Sequence, residues 1–180
     1  DGDFTDWASI PKYSEEIAAP PANINLLSYA TDFTEGILSF YIKVRGNFFS
    51  EEDPDMFEIF IDADGNESTG YRTSEDFGSD YRAELYGWNG SIQESVLSEF
   101  SGTDKLNFSA WSPVGNAKAA THLDELEAQV DTEVLDSFQE EDFKVLIYGK
   151  DFEGREVYSS VTPSKSFGAL FVEQKPIMQN

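Results

Sequence analysis

A two-residue turn between two strand-like runs constrains this chain more than any other feature. Asn89-Gly90 separates Tyr81–Trp88 from Ser91–Phe100. Both central residues of a type I′ turn need positive φ, and Asn-Gly supplies that at low cost, so the pair predicts a β-hairpin. Phe33-Thr34-Glu35-Gly36 and Glu153-Gly154 repeat the signal in weaker form. The apolar residues are mostly aromatic or β-branched, and they fall in short runs broken by Gly, Asn, Asp and Pro. Such residues pack well on a pleated surface, and such breaks are turn chemistry.

Strands are expected at Ile24–Phe33, Ile37–Gly46, Met56–Asp62, Tyr81–Trp88, Ser91–Phe100 and Asn107–Ser112, then at Ala117–His122, Leu126–Val130, Phe143–Phe152, Val157–Val161 and Phe167–Gln174. One stretch competes as a helix. Leu123, Leu126, Val130, Val134 and Phe138 recur at helical spacing, yet Leu126, Ala128 and Val130 also alternate as a strand does. A strand followed by a short helical turn near Asp131–Asp136 reconciles the two. Asn47–Asp55 and Gly65–Gly78 read as long irregular insertions. The whole predicts an all-β fold, an antiparallel two-sheet β-sandwich of jelly-roll-like form with at most one short helix. Residues 1–160 are expected to form the module. Residues 161–180 form a strand-containing tail, either the last strand of the same domain or one donated to a neighbour's open sheet edge.

Directly after the run Met56–Ile61 comes Asp62-Ala63-Asp64-Gly65-Asn66. Oxygen-bearing side chains at every second position, with a glycine that lets the chain curl, suit Ca²⁺, which takes roughly six to eight hard oxygen ligands. An EF-hand is excluded, because the twelfth position counted from Asp62 is Thr73 where that motif has Glu. A strand-to-loop calcium site is expected instead, with Asp62, Asp64 and Asn66 as ligands and Asp80 brought in from Gly78-Ser79-Asp80-Tyr81. The alternative is an ordinary Asx turn. Asp1, Asp3 and Asp6 form a second candidate metal cluster, or a solvated acidic terminus. Glu51-Glu52-Asp53-Pro54-Asp55 reads as an exposed loop, alternatively as part of an intersubunit calcium site.

The 35 acidic residues against 12 Lys and Arg give a formal charge of −23. That balance excludes a general nucleic-acid binder, since nothing neutralises a run of phosphates. No apolar run is long enough to span a membrane as a helix. Cysteine is absent, which removes disulfides and thiolate metal sites. A start at Asp1 reads as a processed N-terminus or an excised module, and the sequons at Asn66, Asn89 and Asn107 support an extracellular setting.

Catalysis finds little support in the residues. His122 is the single histidine, no nucleophile motif surrounds a serine, and acidic pairs carry no information in so acidic a chain. Tyr86 and Trp88 lie two apart on one predicted strand and so face one side of a sheet, a possible ligand platform or simply buried aromatics.

Phe57-Glu-Ile-Phe-Ile-Asp-Ala-Asp-Gly-Asn-Glu-Ser-Thr-Gly-Tyr71 and Gly78-Ser-Asp-Tyr-Arg-Ala-Glu-Leu-Tyr-Gly-Trp-Asn-Gly90 together resemble modules of archaeal and bacterial surface proteins. Those modules are related to family 9 carbohydrate-binding modules and DOMON-like sandwiches. The opening Asp1-Gly-Asp-Phe-Thr-Asp-Trp7 and the segment Leu126–Val130 with its turn to Leu135 are similar to parts of them. The resemblance implies an exported, non-catalytic β-sandwich with calcium as a frequent structural ion. The paired tryptophans with which family 9 sugar binders clamp a glycan have no placeable counterpart. Two functions are expected from these readings. One is a secreted or cell-surface structural subunit that assembles with copies of itself into a tube, fibre or surface layer. The other is a carbohydrate-binding module of a secreted enzyme or adhesin, with a glycan as partner.

Overall fold

The predicted strands pair into two antiparallel sheets laid face to face, in a computed structural model that describes residues 2–15 and 21–162. The first sheet joins β1 (Tyr13–Ser14), β2 (Leu26–Thr34) and β3 (Ile37–Val44) to a later pair, β11 (Glu125–Asp131) and β10 (Lys118–His122), in the order β1-β2-β3-β11-β10. The second has β4 (Asp55–Asp62) and β7 (Tyr81–Trp88) at its centre. They are flanked on one side by β12 (Lys144–Lys150) and β13 (Glu156–Tyr158), on the other by β8 (Ser91–Phe100) and β9 (Trp111–Gly115). A separate small hairpin, β5 (Tyr71–Ser74) with β6 (Phe77–Ser79), lies between β4 and β7 in the chain.

Period-two alternation makes the core. Leu38, Phe40, Ile42 and Val44 of β3 meet Phe57, Ile59 and Ile61 of β4 in one buried cluster, joined by Leu126, Ala128 and Val130 from β11. The ambiguous Leu126–Val130 segment is thus a strand, paired to β3 from Glu125↔Lys43 to Asp131↔Ile37. The expected helical turn follows it as a 3-10 turn, Thr132–Val134, capped by Asp131 accepting from the Glu133 N–H.

The outer faces are partly covered as well. Trp7, from a 3-10 turn at Phe4–Ser9, packs on Ala30 and Tyr41 of the first sheet, and its indole N–H donates to Glu127 at 3.1 Å. On the second sheet, Phe77 of β6 packs with Phe60, Leu146 and Tyr148.

The turns follow their chemistry. Asn89 and Gly90 take φ of 52° and 75°, as a type I′ hairpin demands, and Glu35 and Gly36 take 52° and 83°. The β10–β11 turn was not legible: it passes through Leu123 at φ 54°, a conformation leucine disfavours. The Leu123 carbonyl accepts from Phe48 N–H at 2.8 Å and the Asp124 carbonyl from Val44 N–H at 3.0 Å, so tertiary pairing holds the turn.

Three expectations need correction. Gly65–Gly78 is not wholly irregular, because its second half is strand β5 and the start of β6. Asn107–Ser112 is not one strand: Asn107 accepts from Ser109 N–H to cap a 3-10 turn at Phe108–Ala110, and pairing begins only at Trp111. Asp55 does not lie in the exposed loop with Glu51–Pro54. It opens β4, is fully buried, and accepts from the Asn23 side chain at 2.6 Å. Beyond β13 the chain stays on its own sheet as far as Thr162. The Ser159 and Thr162 hydroxyl oxygens accept from the Ile147 and Val145 N–H groups of β12. The predicted Phe167–Gln174 strand lies outside the described residues.

No helix among the described residues is long and apolar enough to cross a membrane.

Candidate metal centre

Strand register explains how two distant aspartates meet. The β4–β7 ladder runs antiparallel from Asp55↔Gly87 to Ile61↔Tyr81. One residue past its last rung lie Asp62 on one strand and Asp80 on the other, on the face that also carries Glu58 and Glu84. Asp64 follows two residues after Asp62, in a loop that doubles back. Ligand oxygens of Asp62, Asp64 and Asp80 all lie within 4.8 Å of one another, and this is the one such group of three among the described residues.

The loop is held by its own polar groups. Asp64 accepts from the Asn66 N–H at 2.8 Å and from the Thr69 hydroxyl at 3.0 Å. Asp80 accepts from the Ala63 N–H at 2.9 Å, tying the start of β7 to the end of β4. Glycines permit the tight return. Gly70 sits at φ 65°, and a Cβ there would run into the Ser79 carbonyl. The Lys105 ammonium donates to the Ser68 carbonyl and braces the outside of the loop.

Asp62 stands apart from its neighbours. It is fully buried, yet neither carboxylate oxygen makes a well-formed hydrogen bond, the Gly65 backbone N–H giving only a weak interaction. Its nearest cation is the Lys144 ammonium, 4.0 Å from Oδ2 and carried by the residue opposite Asp62 on β12. Burial, then the neighbouring Asp80, pushes its carboxyl up to about 7, while Lys144 pulls it back. Burial likewise pushes Asp80 up to about 6, against the lowering effect of the Ala63 N–H. A carboxylate buried without partners is costly, so such groups are ordinarily paired or bound to metal. Three convergent carboxylates of this kind can hold a hard divalent cation.

The other expected site residues fall differently. The Asn66 side-chain oxygen accepts from the Ser68 N–H at 3.0 Å, so it closes an Asx turn. Asp3 caps the first 3-10 turn by accepting from the Thr5 N–H and hydroxyl, Asp6 is exposed, and Asp1 lies outside the described residues. Tyr86 lines a trough on the outer face of the second sheet. Trp88 lies past the β-bulge where the β7–β8 register shifts and takes no part in that lining. Sequence reasoning missed Glu58, buried beneath the trough and bonded to Arg82 at 2.9 Å. Its place in an apolar run, Met56–Ile61, was the available signal.

No protein-family model, curated protein or solved structure matches the chain.

Proposed function

We propose that this chain is a non-catalytic, calcium-binding β-sandwich module that serves as a structural subunit of a secreted or cell-surface assembly. The observation that carries the reading is Asp62: fully buried, without a well-formed hydrogen bond on either oxygen, and converged upon by Asp64 and Asp80. Calcium suits the set better than zinc, which prefers nitrogen and sulfur donors. A bound ion joins the end of β4 to the start of β7 and locks the loop between them. The formal charge of −23 supports the assembly role, because divalent cations relieve repulsion between acidic copies.

Isothermal titration calorimetry with CaCl₂ tests the metal site, and thermal denaturation measures what binding contributes. At a free calcium concentration about a hundredfold above Kd, the expected stabilisation is about 2.7 kcal/mol. Asp80→Asn removes most of the heat and the shift. A titration with no heat and an unchanged melting temperature overturns the calcium site. Dynamic light scattering tests the assembly separately: particle size grows with calcium and falls again with EGTA. Unchanged size overturns the assembly role even where calorimetry detects binding.

A further inference from the structure

The outer face of an antiparallel sandwich sheet ordinarily meets water with polar and charged residues. On the second sheet that face is also rich in tyrosine. Register sets Tyr158, Tyr148, Glu58 and Glu84 in one row across β13, β12, β4 and β7. Glu156, Lys150, Met56 and Tyr86 form the next row.

The face is hollowed. Tyr71 and Thr73 of the β5–β6 hairpin, with Phe108, wall a cavity of about 360 Å³ whose lining includes both rows. A second cavity of about 430 Å³ shares Met56, Tyr86 and Lys150 with it and adds Asp53, Asp151 and Phe152. Each is within the roughly 300–1,000 Å³ of small-molecule sites, and the shared residues join them into one elongated trough.

Charge in this trough is one-sided. Its lining holds five carboxylates, Glu58, Glu84, Glu156, Asp53 and Asp151, against the single ammonium of Lys150. The cations beside them are shared out. Arg82 lies 2.9 Å from Glu58 and 3.5 Å from Glu84, and Arg155 lies 2.6 Å from Asp151 and 2.7 Å from Glu153. Lys150 stands opposite Glu156 in the β12–β13 ladder. A surplus of negative charge remains. Burial holds the Glu58 carboxyl above its ordinary range, with Arg82 opposing and Glu84 adding to the effect. Burial and then neighbouring carboxylates likewise raise the Tyr86 and Tyr158 hydroxyls.

Such a surface repels anions. It also gives a metal ion little grip, because among the described residues only Asp62, Asp64 and Asp80 converge as three carboxylates. An organic cation meets both features of the lining: carboxylates for its charge, and tyrosine faces for the polarised N–CH₂ groups beside it. Acids lie in both cavities, and Met56 and Tyr86 belong to both. The cation that fits therefore carries ammonium groups toward both ends of an apolar chain.

We propose that this trough binds a linear aliphatic polyamine, with ammonium groups set against Glu84 and Glu156 at one end and Asp53 at the other, and methylenes lying along Tyr86 and Met56. The formal charge of −23 draws such cations in from a distance. These residues differ from those of the metal centre, so either reading can fail without the other.

Calorimetry on the whole chain tests it, in calcium and at physiological ionic strength, where diffuse attraction is screened. Cadaverine, spermidine and spermine are the probes, with 1,6-hexanediol as an uncharged comparison and hexalysine as a peptide one. At least one polyamine is expected to bind, and the diol is not. Tyr86→Leu and Glu84→Gln are each expected to weaken binding about tenfold, while Tyr86→Phe, which keeps the ring, retains it. Asp53→Asn is expected to weaken it too, and because Asp53 is exposed this variant leaves the fold intact. Glu133→Gln, which changes an exposed acid next to the first sheet, is expected to leave affinity unchanged. Circular dichroism checks the fold of each variant. Four results overturn the proposal: no binding by any polyamine, equal binding of the diol, tighter binding of hexalysine than of every free amine, or losses in the trough variants no larger than in Glu133→Gln.

Discussion

Water, a hydrogen bond or an opposite charge normally compensates a carboxylate, and Asp62 has only Lys144 at 4.0 Å and a weak interaction with the Gly65 backbone N–H. The proton is the other available compensation. Asp62 and Asp80 have carboxyls pushed up to about 7 and about 6, above their ordinary 3.8. The metal-free folded chain therefore holds these protons more tightly than the unfolded chain does. Stability attached to them is present below about pH 4 and is lost as pH rises through the folded values. Calcium requires the ionised carboxylates, so its contribution runs the opposite way. The expected outcome is a melting-temperature gap between calcium-loaded and EGTA-treated protein that widens from about pH 5 to about pH 8. In Asp62→Asn the gap is small and nearly flat with pH. Differential scanning calorimetry across that range checks it, and a gap independent of pH in the parent protein counts against Asp62 as a ligand.

Two glycines separate the role of the turn from that of the loop. Gly90 takes φ 75° in the β7–β8 turn with nothing near its missing Cβ, so Gly90→Ala is expected to cost about 1 kcal/mol of stability from backbone strain alone. Gly70 has the strain and the collision with Ser79 together, so Gly70→Ala is expected to cost more and to weaken calcium binding as well. Urea denaturation and calcium titration of both variants make the comparison; equal costs would mean that the loop yields without moving its ligands. The same contrast explains what was legible in the sequence. Asn89-Gly90 and the alternation in Leu38–Val44 and Phe57–Ile61 declare their strands locally, because turn type and face burial are written within a few residues. Asp80 was legible as a partner of Asp62, since an aspartate just before a strand-like run is a natural counterpart to one just after another. The Leu123 turn was not, because hydrogen bonds from Phe48 and Val44 hold it, and they come from far along the chain. Hairpin β5–β6 was hidden for a related reason: its support is Phe77 packing on Phe60 and Leu146, a contact no local pattern records. Trp88 attracted notice by residue type, whereas the trough depends on register across four strands and takes Tyr148, Tyr158 and Glu58 instead.

At the scale of the molecule, the metal centre and the trough share a piece of backbone. The chain leaves β4 at Asp62, forms the acidic loop, runs through β5 and β6, and re-enters the second sheet after Asp80. Both ends of that excursion carry candidate ligands. Its middle carries Tyr71 and Thr73, which wall the trough. An ion between Asp62, Asp64 and Asp80 therefore closes the base of the segment whose tip walls the trough. The hairpin is also held by packing, through Phe77 and through the Tyr71 ring 5.8 Å from that of Trp111, and by the Arg72 N–H donating to the Lys105 carbonyl at 2.9 Å. The two supports differ in what they fix: packing limits how far the hairpin moves from the sheet, while the ion fixes where its two strands start. Without calcium, the wall is expected to sample more positions. The expected result is faster amide hydrogen exchange across the β5–β6 hairpin in EGTA than in calcium, with Asp80→Asn in calcium reproducing the change. Hydrogen-exchange mass spectrometry of the whole chain measures it. Equal exchange with and without calcium would assign the hairpin's order to Phe77, Tyr71 and the Arg72–Lys105 backbone hydrogen bond, and leave the ion a clasp on the acidic loop alone.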